Sequence, residues 1–167
     1  MADDVFIRSI EEAEYPVLED FIYHAIFLPP GVAPLPRDII YKEEIYAYVK
    51  DFGGADDCGV VADLDGQVIG AAWTRIIPAY GYIDDRTPEL AISVLPNYRG
   101  RGVGAMLMAS LFERLRERGY RRTFLSVQKG NPAIRLYERL GYRITGERLD
   151  GAGNEDYLMV KELAGEC

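Results

Sequence analysis

The sequence predicts an α/β (α+β) fold: a mixed central β-sheet with helices on both faces, in the order β-α-α-β-β-β-α-β-α-β-β. Three observations carry this. Val103, Met106, Leu107, Leu111 and Leu115 keep the i, i+3/i+4 spacing of one buried helical stripe. Asp65-Gly66 stands between two apolar runs, a strong hairpin signal. From Leu90 onward, short apolar strands alternate with glycine-bounded helices, which implies parallel pairing in that block.

The elements follow in order. Val5–Ile10 reads as a strand. Ser9-Ile-Glu-Glu12 has the form of a capping box, so a helix is expected from there to about Ile26. Leu28–Pro36 holds four prolines and a glycine and cannot be helical. Asp38–Val49 reads as a second helix. Cys58–Asp63 and Gln67–Ile77 form the hairpin strands around Asp65-Gly66. Leu90–Val94 is a short strand with Leu90, Ile92 and Val94 on one face. Val103–Arg118 is the clearest helix, stopped by Gly119. Thr123–Val127 is a strand. Asn131-Pro132 opens a further helix, with Asn as N-cap and Pro at the first helical position, and Gly141 closes it. Strands near Tyr142–Leu149 and Asp156–Glu162 complete the chain.

The 167 residues suit one domain, 1–167. A net charge of −8 argues against a nucleic-acid partner, although arginines concentrate between Arg99 and Arg139 and offer a local positive field. No apolar run reaches the ~18–20 residues of a membrane span, and the first residues lack a signal-peptide pattern, so a cytoplasmic location is expected. Cys58 and Cys167 form neither a metal cluster nor a disulfide framework, and no metal is expected. No feature fixes the oligomeric state; a homodimer stays open.

The most informative stretch is Val94-Leu-Pro-Asn-Tyr-Arg99-Gly-Arg-Gly-Val-Gly104-Ala. It lies between a strand and the best helix. Gly100, Gly102 and Gly104 let backbone N–H groups converge, and the helix start adds free donors and a positive dipole end. A phosphate or pyrophosphate suits such a turn, with Arg99 and Arg101 adding charge. The stretch has neither the G-K-[ST] of a triphosphatase loop nor the G-x-G-x-x-G dinucleotide spacing. By itself it is also compatible with a tight strand-to-helix turn bearing exposed arginines.

The stretch resembles the pyrophosphate loop R/Q-x-x-G-x-G/A of the GCN5-related N-acetyltransferase (GNAT) superfamily, through Arg99, Gly102 and Gly104. Asn131-Pro-Ala-Ile-Arg-Leu-Tyr137-Glu-Arg-Leu-Gly141-Tyr142 resembles that family's helix ending in L-Y-x-x-x-G-F/Y. The resemblance implies the acyl-CoA N-acyltransferase fold, acetyl-CoA as cofactor, and transfer of an acetyl group to an amine. It implies that backbone groups of Arg99, Gly100, Arg101, Gly102, Val103, Gly104 and Ala105 hold the pyrophosphate. Ile92, Ser93 and Val94 would line the pantetheine arm between two splayed strands, with Asn131 and Ala133 beside it. Tyr137 would face the sulfur. A non-catalytic acyl-CoA sensor on the same fold is the alternative reading.

Amide formation from a thioester needs a neutral amine, a polarised carbonyl and a protonated leaving thiolate. An alkyl amine with a pKa of about 10.4 must first lose a proton. Glu89, at the entry to the central strand, is the candidate base. The N–H of Val94 is the candidate for polarising the carbonyl, and Tyr137 the candidate acid. Tyr137 also reads as core, Glu89 as a solvated strand-end carboxylate and Asn131 as a simple cap. His24 and Trp73 read as structural. Tyr80, Tyr82, Asp84 and Asp85 with Glu89 would make an acidic, aromatic patch suited to a cationic amine, small molecule or peptide, with Tyr23 and Phe27 as the opposite wall.

Overall fold

The computed structural model describes residues 4–77 and 82–163. Tyr80 and Cys167 lie outside them. Among the described residues, seven strands form one sheet in the order β1-β2-β3-β4-β5-β7-β6. They are β1 Val5–Ser9, β2 Cys58–Leu64, β3 Gln67–Arg75, β4 Glu89–Val94, β5 Arg122–Gln128, β6 Arg143–Leu149 and β7 Glu155–Glu162. The helices are α1 Val17–Ala25, α2 Glu43–Tyr46, α3 Val103–Glu117 and α4 Ile134–Arg139. The β2–β3 hairpin turns at Asp65 and Gly66, whose φ angles of 52° and 88° match the twist-compatible two-residue turn.

One face of the sheet carries α3 and α4 over a core of Leu90, Leu107, Leu111, Leu125, Tyr137 and Met159 among others. The other face carries α1 and the segment around Ile40 over Leu18, Phe21, Val61, Ala71 and Trp73. The mixed sheet with helices on both faces is therefore as the periodicity predicts. Among the described residues no helix is long and apolar enough to cross a membrane.

Four local readings change. The first helix is not continuous: a 3₁₀ turn at Glu12–Glu14 precedes Pro16 and α1. Its capping pair is Glu11 and Glu14, the Glu11 N–H donating to Glu14 Oε1 at 2.9 Å. Ser9 instead ends β1, opposite Val60. The second helix is split into a 3₁₀ segment Arg37–Tyr41 and the short α2, because Lys42 between them is extended, at φ −62° and ψ 137°. Strand β3 stops at Arg75, not Ile77. Helix α4 is assigned only from Ile134, yet Asn131 still caps the turn ahead of it: its Oδ1 accepts from the Ala133 N–H at 2.9 Å.

The parallel block is narrower than the element order implies. Among the described residues only β4 and β5 pair in parallel; β7 enters between β5 and β6, antiparallel to both. Burial explains the swap. Met159 and Val160 of β7 are buried, whereas most of β6 is exposed, with Arg143, Glu147 and Arg148 along it. The more apolar strand takes the inner place and the charged one guards the edge.

Candidate functional site

The site begins where two neighbouring strands part. The register of β4 with β5 is a single position, Glu89 opposite Phe124, beside the Phe124 N–H to Pro88 carbonyl bond of 3.1 Å. Beyond it the strand pairing of β4 is with β3. Leu95 donates to the Ile69 carbonyl at 2.9 Å, so the flanking pair Val94–Gly70 is a non-hydrogen-bonded one, as is Ile92–Ala72. The N–H and C=O of Ile92 and Val94 consequently point away from β3 and into the opening toward β5. Ser93 faces the other way: its hydroxyl donates to the Phe21 carbonyl at 2.6 Å and ties β4 to α1.

At the end of β4 the chain makes the glycine turn. Gly100 and Gly102 have φ of 75° and 83°, a region that L side chains disfavour. A Cβ built on either would meet nothing within 4 Å, so the main chain lies bare around an open cradle. Val103 starts α3, leaving the amides of its first turn without intrahelical acceptors. At Gly104 a Cβ would sit 3.6 Å from Leu136 and 3.9 Å from Ile92, which places this residue between α4 and the opening. Bare amides at a helix start fit a pyrophosphate. The arginines of the motif divide. Arg101 lies over the Tyr98 ring at 5.7 Å. Arg99 donates to the Val94 carbonyl at 2.8 Å and to the His24 carbonyl at 3.0 Å, strapping the end of α1 to the end of β4. Its guanidinium is thus engaged with the protein, although the sequence reading offered it to an anion.

Glu89 is buried at 2% exposure, not a solvated strand end. It lies on the α1 face, opposite Leu90, Ile92 and Val94. The Tyr48 hydroxyl donates to its Oε2, and Ser126 Oγ lies 3.4 Å from the same oxygen. Arg148 Nη2 donates to Ser126 Oγ at 2.9 Å. Burial pushes the Glu89 pKa up to about 7, while Tyr48, Arg148 and Ser126 pull against the rise. A carboxyl poised there can take a proton near neutral pH.

Tyr137 is buried on the opposite face, edge-on to Tyr142 with ring centroids 6.0 Å apart. Burial raises its pKa to about 12. Glu89 and Tyr137 thus lie on opposite faces of the sheet. His24 lends its carbonyl to Arg99 and stands edge-on to the Tyr23 ring, and Trp73 is fully buried with its Nε1 donating to the Tyr48 carbonyl at 2.9 Å.

The expected acceptor patch is mostly self-satisfied. Asp84 pairs with Arg122 at 2.9 Å and accepts from Thr87 and the Arg86 N–H, which hold its pKa below the usual range. Tyr82 donates to Asp85. On the opposite wall, Tyr23 bonds the Leu35 carbonyl beneath Arg37, and Phe27 lies 3.7 Å from where a Gly130 Cβ would be. Sequence reasoning missed Tyr48, Ser126 and Arg148. They lie in three separate segments, and no spacing links them to Glu89.

Known proteins resemble this chain in sequence and in fold. The family model described as "Acetyltransferase (GNAT) family" matches residues 20–142. An uncharacterized N-acetyltransferase of Mycobacterium tuberculosis is 38% identical over 144 residues, covering 81% of this chain and 87% of the relative. An L-methionine sulfoximine/L-methionine sulfone acetyltransferase of Pseudomonas aeruginosa is 34% identical over 90 residues, 53% of this chain and 51% of the relative. Among solved structures, the yncA protein of Salmonella typhimurium, determined with its cofactor acetyl-CoA, superposes with a TM-score of 0.69 at 20% identity, covering 99% of this chain and 97% of that one.

Proposed function

The chain belongs to the acetyltransferase (GNAT) family, and from that membership we propose that it moves an acetyl group from acetyl-CoA to a primary amine by direct attack of the amine on the thioester. The enzyme class is that of an acetyl-CoA-dependent N-acetyltransferase. The observation that carries the reading is the parting of β4 from β5 beside the bare glycine turn.

Acetyl-CoA supplies the activated acyl group. The amides from Arg99 to Ala105 hold its diphosphate, and the main-chain groups of Ile92 and Val94 receive the pantetheine arm in the opening. Ser93 keeps α1 against this strand, and Asn131 fixes the turn through Ala133 that borders the arm. The Val94 N–H polarises the thioester carbonyl. Glu89 takes the proton of the amine, which is carried by a small molecule or a peptide and enters from the α1 face. Tyr137 faces the sulfur from the other side. With its pKa near 12, full transfer to a thiolate of pKa about 8.5 is uphill, so its O–H acts mainly as a hydrogen-bond donor to the developing charge. Holding two reactants in one opening supplies much of the rate, up to ~7–11 kcal/mol. The whole chain acts as one domain, in the cytoplasm, where acetyl-CoA is at hand.

The test is a calorimetric titration of the protein with acetyl-CoA, using ATP and NAD as controls. Selective binding of acetyl-CoA is expected. Equal or absent binding of all three would overturn the reading of the turn.

A further inference from the structure

The reaction as proposed uses Glu89 but none of the three side chains gathered around it. Tyr48 comes from the segment after α2, Ser126 from β5 and Arg148 from β6. All are directed at one oxygen, Oε2, directly or through Ser126. Tyr48 is anchored independently of Glu89, because its carbonyl accepts from Trp73 Nε1 at 2.9 Å. We infer that Tyr48 and Ser126, the latter linked to the charge of Arg148, are positioning residues that hold Glu89 as an ionised base with Oε1 turned to the incoming amine. The inference rests on the reading of Glu89 as the base.

The physical argument is a balance. Burial of a carboxyl this deep favours the neutral acid, which cannot accept a proton. Donors to the carboxylate oppose that, and hydrogen bonds to charged groups are among the stronger ones. Other charged groups stand on the neighbouring strands. Arg75, opposite Glu89 on β3, is bound to Asp57 at 3.0 Å. Asp156 of β7 stands opposite Arg148 and Gln128 and is itself buried. Burial sets the rise in the proton affinity of Glu89, and the three gathered residues limit it.

The experiment is a carbon-13 NMR titration of the full chain labelled at glutamate Cδ, with Glu89→Gln identifying the resonance. Wild-type Glu89 is expected to titrate near 7. Tyr48→Phe and Ser126→Ala should each raise that midpoint by about one pH unit and leave the other glutamates unmoved. The acid limb of thiol release from acetyl-CoA, assayed with a panel of polyamines and amino acids, should move upward in step and recover at high pH. An unmoved Glu89 midpoint in both variants, with the dispersed spectrum intact, would overturn the inference; should Tyr48→Phe fail to fold, Ser126→Ala decides alone. Separately, thiol release unaffected by Glu89→Gln would remove Glu89 as the base, even where the midpoint shifts are as expected.

Discussion

At the residue scale, the burial of Glu89 costs stability once the group is charged. Its pKa is raised from 4.5 to about 7, so the folded state holds its proton more tightly than the unfolded chain. Such a group contributes stability that is fully present below the unfolded value and is lost as pH rises through the folded one. A neutral glutamine does not titrate. Glu89→Gln is therefore expected to match the wild type near pH 4.5 and to exceed it at pH 8 by about 2–4 kcal/mol. Urea unfolding at the two pH values checks this. A wild type that stays the more stable at pH 8 would mean that Tyr48, Ser126 and Arg148 more than offset the burial. The position of Glu89 was legible in the sequence, as the residue before an alternating apolar strand. Its burial and its partners were not, because Tyr48 is 41 residues away along the chain and Ser126 is 37.

At the scale of the element, the glycine turn is the part most fully written in the sequence. Positive φ at Gly100 and Gly102 is a local demand that glycine meets, and the start of α3 follows from its apolar stripe. Two substitutions separate backbone strain from charge. Gly102→Ala strains the left-handed residue, whereas Gly102→Asp adds an anion in the open cradle as well. Aspartate is expected to weaken acetyl-CoA binding by at least ~10-fold more than alanine, since one like-charge contact of about 1.4 kcal/mol already gives that factor. Calorimetry on both variants measures it, and equal effects would leave only a conformational role for the turn. Elsewhere local signals misled. The Ser9–Glu12 pattern resembles a cap, but strand pairing with Val60 claimed Ser9 and moved the cap to Glu11. The region around Lys42 has no proline, yet its extended backbone breaks the helix.

At the scale of the molecule, two cores share one sheet. Trp73 fills the α1-side core at 0% exposure and fixes the Tyr48 carbonyl across it. Trp73→Phe leaves that acceptor unmatched and a void beside Val61 and Ala71, so a loss of about 2–3 kcal/mol is expected. Because the sheet joins both cores, the loss should shift one cooperative transition, followed equally by far-ultraviolet circular dichroism and tyrosine fluorescence. Two separated transitions would show that the faces unfold independently.

The class of fold, the β2–β3 hairpin, the α3 stripe and the glycine turn were legible in the residues alone. Each depends on residues within a few positions of one another, whose torsion preferences and periodicity act locally. Long-range packing fixed the entry of β7 between β5 and β6, the single paired position of β4 and β5, and the Arg99 strap from α1 to β4. It also decided which side chains surround Glu89. These outcomes depend on which apolar strand gains most from the inner position and on which donors can reach a buried oxygen. Such competition among distant segments is resolved by packing.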